Sequence, residues 1–137
     1  MAIWNLFANK IFLAGIIAWC LAQFLKFVIE GVKTGKFDAK MLVFPGKMPS
    51  AHTSTIVAVT ASVYLLEGFS NLFMLSLFVA FVVMYDTVTS RKQVGIITQA
   101  LNATLRKKIR YFEGHTVPQM VVGAIIGIAI ACLVKWI

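Results

Sequence analysis

From Ile11 to Val32 the chain is apolar except for Gln23, Lys26 and Glu30, and three more apolar stretches follow: Ala51 to Leu66, Leu72 to about Ser90, and Val117 to Ile137. A helix needs about 20 consecutive apolar residues to cross roughly 30 Å of hydrocarbon. Apolar residues make up 60% of the 137, and the mean hydropathy is +0.87, against about 45–50% apolar in soluble domains. The expected fold is therefore all-α: a polytopic membrane helix bundle of about four transmembrane helices, forming a single integral membrane domain over residues 1–137. The second stretch is short, so its ends are expected at or below the headgroup level. The first has no basic start, no small-residue cleavage site and too long an apolar run for a signal peptide; it is expected to be retained.

Charge sets the expected orientation. Lys33, Lys36, Lys40 and Lys47 lie between the first two spans, and Arg91, Lys92, Arg106, Lys107, Lys108 and Arg110 between the last two. The other side carries only Lys10, Glu67 and Lys135. Positive-inside bias puts both basic loops in the cytoplasm and both termini outside, in a membrane such as the bacterial cytoplasmic membrane. The net charge of +8 then reflects topology and attraction to anionic headgroups. Membrane lipids are the expected partners and nucleic acid is not, since no groove-reading motif accompanies the basic residues. Cys20 and Cys132 fall within spans, where cysteine behaves as a small hydrophobe, and two cysteines make no disulfide framework.

Between the spans, the loop "KTGKFDAKMLVFPGK" is turn-rich and "EGFSN" is a tight hairpin, as their glycines and the first loop's proline require. After Arg91, the residues Val94, Ile97, Leu101, Leu105, Ile109 and Phe112 recur every three or four positions. This spacing predicts an amphipathic helix lying on the cytoplasmic interface. In the last span Gln119, Gly123, Gly127 and Ala131 step by four, and Ala51, Thr55, Ala58 and Ser62 make a comparable face on the second. Small residues let helices approach closely, and joining these faces would bring the two histidines together. Four spans of small residues bury little surface, which leaves a homo-oligomer open as an expectation.

Those histidines are the main functional signal. His52 opens the second span and His115 precedes the fourth, so both rings belong to one membrane face. Pro49-Ser50 leads into one helix, and Thr116 with Pro118 leads into the other. Free N–H groups and the helix dipole favour an anion such as phosphate at such starts. Gln23, Lys26 and Glu30 share a face of the first span, and Asp86 lies near the end of the third, just before Ser90-Arg91. A charge at mid-bilayer costs roughly 2.5–3.5 kcal/mol on insertion scales, which makes membrane-embedded charges functional candidates. The plainer readings are a Lys26–Glu30 pair, an Asp86–Arg91 pair and two interfacial histidines. Two histidines with no cysteine or carboxylate cluster fall short of a metal's usual ligand set, so neither metal nor other cofactor is expected.

The blocks "MPSAH" (Met48 to His52), Tyr85-Asp86 followed by Ser90-Arg91, and Gly114-His115-Thr116 with Gly123 and Gly127 downstream resemble the divergent branch of the type-2 phosphatidic acid phosphatase superfamily. That superfamily also includes bacterial acid phosphatases and vanadium haloperoxidases. The blocks occur in consistent order from about Gln23 to Gly127. The resemblance implies a metal-independent phosphomonoesterase on a helical bundle. In it His115 would attack phosphorus to form a phosphohistidine, His52 would protonate the leaving oxygen, and Ser50 with nearby backbone N–H groups would hold the phosphoryl oxygens. Lys26, Arg91 and Gln23 would bind the phosphate, and Asp86 would join the catalytic set.

Three departures qualify this transfer. Lys33 and Thr34 stand where the superfamily's first block has arginine and proline. Ser90-Arg91 lies more than twenty residues before His115 rather than just before it. Gln119 occupies the place of the carboxylate four residues beyond the nucleophile. The missing orienting charge would then come from Asp86 or Glu113, with Gln119 itself the other orienting candidate. The expected activity is a lipid phosphatase (a phosphoric monoester hydrolase) at the cytoplasmic leaflet, with phosphatidylglycerophosphate or phosphatidate first and a polyprenyl phosphate or diphosphate next. The alternatives are a weak or inactive lipid-phosphate binding or transport protein, favoured by Gln119, and a structural membrane subunit.

Overall fold

The computed structural model describes residues 8–37, 47–106, 109 and 114–137. Five helices follow in order: α1 (Lys10–Thr34), α2 (Ala51–Glu67), α3 (Asn71–Val88), α4 (Ser90–Thr104) and α5 (Val117–Lys135). The architecture is all-helical, and no strand occurs among the described residues. In hydrocarbon no water is available to satisfy backbone groups, so helices are how an open chain of this kind crosses a bilayer. Three helical runs are long and apolar enough to do so: Lys10–Thr34, the α3–α4 run Asn71–Thr104, and Val117–Lys135. Helix α2 has 17 residues, about 25 Å at 1.5 Å per residue. It is the short, central member, packed against α1, α3 and α5.

Local chemistry sets the ends. The side chain of Asn9 accepts from the N–H groups of Ile11 and Phe12 to start α1, and Gly35 at φ 67° ends it in the left-handed region that glycine enters without a Cβ penalty. Ser50 caps α2 and Ser70 caps α3, each hydroxyl accepting from the backbone N–H three residues on, which satisfies donors that the first turn leaves unpaired. Thr89 breaks the α3–α4 run at φ −111°, ψ −84°, so α4 continues the chain as a separate element.

The expected amphipathic helix is present but shorter than its apolar spacing suggests. It ends at Thr104, and Leu105 is extended. Asn102 explains the stop: its Nδ2 donates to the Ile109 carbonyl and its Oδ1 accepts from the Ile109 N–H, both at 2.7 Å. An asparagine side chain that offers the backbone such partners competes with helix continuation. Phe112, expected on the same face, lies outside the described residues.

Close packing of α2 on α5 organises the bundle. A Cβ on Gly123 would stand 2.6 Å from the Ser50 carbonyl oxygen, and one on Gly127 would stand 2.6 Å from that of Ser54 and 2.9 Å from the Ala58 nitrogen. These distances leave room for hydrogen alone, so the glycine face of α5 does pack on α2, but against Ser50, Thr53, Ser54, Val57 and Ala58; of the α2 face read from the sequence, Thr55 lies instead toward Gly15 of α1. On the other side of α2, Gly15 of α1 meets Val59, and Ala14, Ala18, Ala58, Ile130 and Val134 form the buried core. Hydroxyls add cross-links: Ser54 Oγ donates to the Ala18 carbonyl and Thr60 Oγ1 to the Ser76 carbonyl, each at 3.2 Å. Since lipid tails are as apolar as leucine, close contact and interhelical hydrogen bonds of this kind hold a membrane bundle together. Helices α1 and α3 flank α2 without touching each other among the described residues.

Candidate functional site

The α2–α5 contact joins the two histidine-bearing helix starts. The Ser50 N–H donates to the Gln119 carbonyl at 3.3 Å, and Gly123 lies directly against Ser50. A third segment locks on from α3: the His115 N–H donates to the Thr87 carbonyl at 3.2 Å. Gly114 crosses so close to Lys92 that a Cβ there would run into the Lys92 backbone. Ser90-Arg91, distant from His115 in sequence, is thereby returned to it by the break between α3 and α4.

Each ring has a defined environment. His115 is buried; its Nδ1 lies 3.2 Å from Gln119 Oε1, which also accepts from the Thr116 N–H at 3.1 Å. A backbone N–H can only donate, so the Gln119 atom beside it is the amide oxygen. That oxygen carries no hydrogen, so Nδ1 of His115 must bear the ring proton. The neutral ring then keeps its lone pair on Nε2, which makes no hydrogen bond among the described residues. Burial holds the His115 pKa below the ordinary imidazole value; the Gln119 bond pulls it upward, and the charges of His52, Lys26 and Arg91 lower it further. The ring is therefore neutral at neutral pH.

His52 is half-buried and faces an ion pair. Its Nε2 lies 3.3 Å from Arg91 Nη1, while Arg91 Nε donates to Asp86 Oδ2 at 2.8 Å. The Asp86 carboxylate is thus engaged by Arg91, and the bond that orients His115 comes from Gln119. Of the two other orienting candidates, Asp86 makes no hydrogen bond to His115 among the described residues, and Glu113 lies outside them.

The remaining candidates are distributed as follows. Lys26 is buried on α1, with its charge felt at both histidines. Glu30 pairs with Lys47 at 3.0 Å, which fastens the approach to the Pro-Ser-x-His block onto α1. Gln23 has a buried Oε1 without a partner among the described residues; turning the amide over would present a donor there instead. Ser50 is fully buried, and its hydroxyl accepts from the Thr53 N–H at 3.4 Å and the Thr53 hydroxyl at 3.1 Å. Its first role is thus to shape the helix start. Thr87, Lys92 and Lys47 support the site and were not singled out by sequence; Gly114, directly before the histidine, was the one local sign of a tight crossing.

One end of the bundle therefore gathers Lys26 and Arg91, the two imidazoles and two helix starts. A family model described as the Divergent PAP2 family matches residues 7–130, and the chain belongs to that family. It is also similar to a Bacillus subtilis (strain 168) protein described as "Uncharacterized membrane protein YuiD", at 24% identity over 154 residues, covering 96% of this chain and 98% of that one. No solved structure matches.

Proposed function

We propose that the protein is a metal-independent lipid phosphate phosphatase whose site faces the cytoplasmic leaflet. The observation that carries this reading is the Gln119–His115 bond, which leaves Nε2 of a buried neutral imidazole as a nucleophile among Lys26, Arg91 and His52. In the proposed cycle, His115 Nε2 attacks phosphorus as the bond from phosphorus to the lipid oxygen breaks. His52 supplies the proton that the departing oxygen takes. Water then attacks the phosphohistidine, His52 accepts its proton, and phosphate leaves with His115 restored. Lys26 and Arg91 supply fixed positive charge to the phosphoryl oxygens, the kind of preorganised stabilisation that is usually the largest single contribution to catalysis. The basic loops argue for the cytoplasmic side. Access from the bilayer favours a phosphomonoester with its tail in lipid: phosphatidylglycerophosphate or phosphatidate first, a polyprenyl phosphate or diphosphate next.

A second reading, a lipid-phosphate binding or transport protein without turnover, draws on Gln119 itself. An amide cannot neutralise the imidazolium that a carboxylate would. Replacing the analogous carboxylate of serine proteases by an amide costs about 10⁴ in rate. Purified protein in detergent with EDTA, assayed for phosphate release from each lipid phosphate, separates the two. Release that falls by about 10³-fold or more in His115→Ala is the expected result for a covalent nucleophile. No release from any lipid, with binding retained in His115→Gln, would favour the binding protein.

A further inference from the structure

His52 in this structure is in the wrong protonation state for the acid role proposed for it. A guanidinium has five N–H donors and no acceptor, so the Arg91 Nη1 to His52 Nε2 contact at 3.3 Å requires a lone pair on Nε2. The ring is therefore neutral, with its proton on Nδ1. Among the described residues, the charged and titratable groups that act on it are Lys26 on α1, Asp86 on α3, Arg91 on α4, and His115 ahead of α5. A proton on Nε2 would point at the Arg91 guanidinium, with Lys26 adding like charge.

We propose that the site takes up a tetrahedral dianion together with one proton, which goes to Nε2 of His52 as Arg91 turns from the ring onto the anion. This rests on reading the site as a phosphate pocket. Three features argue for it. Among the described residues Arg91 is anchored to Asp86 through Nε alone, and its side chain is about half exposed, at 46%, so its two terminal nitrogens can reorient while that anchor holds. A charged phosphate-type oxygen is a stronger partner for guanidinium than a neutral imidazole, because it carries the opposite charge and can take two parallel N–H bonds from the guanidinium fork. Once Arg91 has moved, Nε2 faces the same anion and can join it only as a donor. His115 is the poorer recipient because it is buried, whereas His52 is half-buried and near Asp86. Substrate binding thus loads the acid that the leaving group later needs, and an empty site holds no proton there to lose.

Sulfate is the probe, since unlike phosphate it does not titrate near neutrality and any proton taken up belongs to the protein. The full-length protein in detergent is titrated with sulfate by calorimetry at about pH 7.5, where free imidazole is mostly neutral, in buffers of different ionisation heat. The expected uptake approaches one proton per sulfate, and affinity falls about tenfold per pH unit on the alkaline side, as linkage requires. In His52→Gln sulfate still binds, with uptake lost and the pH dependence flattened. Nitrogen NMR of the wild-type rings gives the same answer without a variant: sulfate should convert Nε2 of His52 from lone-pair to N–H character. Sulfate binding without proton uptake, or uptake that persists in His52→Gln, overturns the proposal and leaves the phosphate pocket intact. No sulfate binding at all rejects the pocket, and the proposal with it.

Discussion

The two histidine-bearing helix starts look alike in sequence and differ in what they do to the ring. Ahead of α5, His115 is buried, tied to an uncharged amide, and left with an Nε2 unengaged among the described residues. At the start of α2, His52 is half-buried, and its Nε2 is engaged by an arginine that is itself half-exposed. Both rings carry their proton on Nδ1, but for opposite reasons: an acceptor fixes it on His115, and a donor at the far nitrogen fixes it on His52. A buried neutral ring with a free lone pair suits attack on phosphorus. A ring at the solvent edge beside a movable cation suits exchange of a proton with water.

The comparison breaks most sharply at the leaving group. If His52 is the acid, His52→Gln should lower kcat by about 10²- to 10⁴-fold for a lipid phosphate, whose alkoxide needs a proton. It should scarcely change the first-turnover release of phenol from an aryl phosphate, whose phenoxide leaves without a proton, while the later attack of water, for which His52 is the base, slows for both substrates. His115→Gln should abolish both. Leaving-group release in the first turnover of the two substrate types measures this, and equal losses at that step in His52→Gln would remove the division of labour.

The next test sharpens the other half. Glutamate at the third helical position also serves a capping box, so Gln119→Glu keeps the start of α5 while placing a charge beside Nδ1. A carboxylate favours the imidazolium, and nearby opposite charges shift pKa values by about one to three units. Because attack needs the neutral ring, the acid limb of kcat/KM should move up in pH by about that amount. Above the limb the rate should rise, since the imidazolium formed on attack is then neutralised. An unmoved limb would mean that Gln119 serves the helix alone.

How far this contrast was readable beforehand depended on whether its causes were local. The spans, the basic loops and the pairing of the Gly123–Gly127 face with α2 follow from spacing and charge along single segments. The end of α4 at Thr104 did not follow, because Asn102 reaches Ile109 instead of leaving the apolar repeat to continue. Nor did the return of Arg91 to the site, which depends on the Thr89 break and on the His115 N–H finding the Thr87 carbonyl. A Lys26–Glu30 pair was one plain reading of the helix spacing; the bond from Lys47 to the Glu30 carboxylate, which joins two distant segments, had no local sign. Gln119 was legible as a departure from a motif. Its effect on the ring became legible only once Thr116 and His115 were seen to share its oxygen.

Helix approach tests whether the two starts work as one site. Gly123→Ala and Gly127→Ala each drive a Cβ to 2.6 Å from a carbonyl oxygen of α2, and each should cost about 1–3 kcal/mol, as overpacking usually does. Both should lower the unfolding temperature in detergent to a similar degree. Only Gly123 abuts Ser50, so Gly123→Ala should also weaken sulfate binding well beyond Gly127→Ala. Equal weakening would mean that the site responds to bundle stability and not to the spacing of the two helix starts.

The smallest effect lies in stability against acid. Burial keeps the folded His115 pKa below the ordinary imidazole value, so as pH falls below about 6.5 the unfolded chain binds a proton that the folded chain refuses. With more protons on the unfolded state, stability must decline as pH drops through that window, by at most about 1.4 kcal/mol per pH unit for one group. Unfolding temperatures between about pH 7.5 and 5.5 should therefore fall in the wild type and fall less steeply in His115→Asn. An unchanged slope in His115→Asn would show that the buried ring accepts the proton as readily as free histidine, and it would then lose the lone pair that sets it apart from His52.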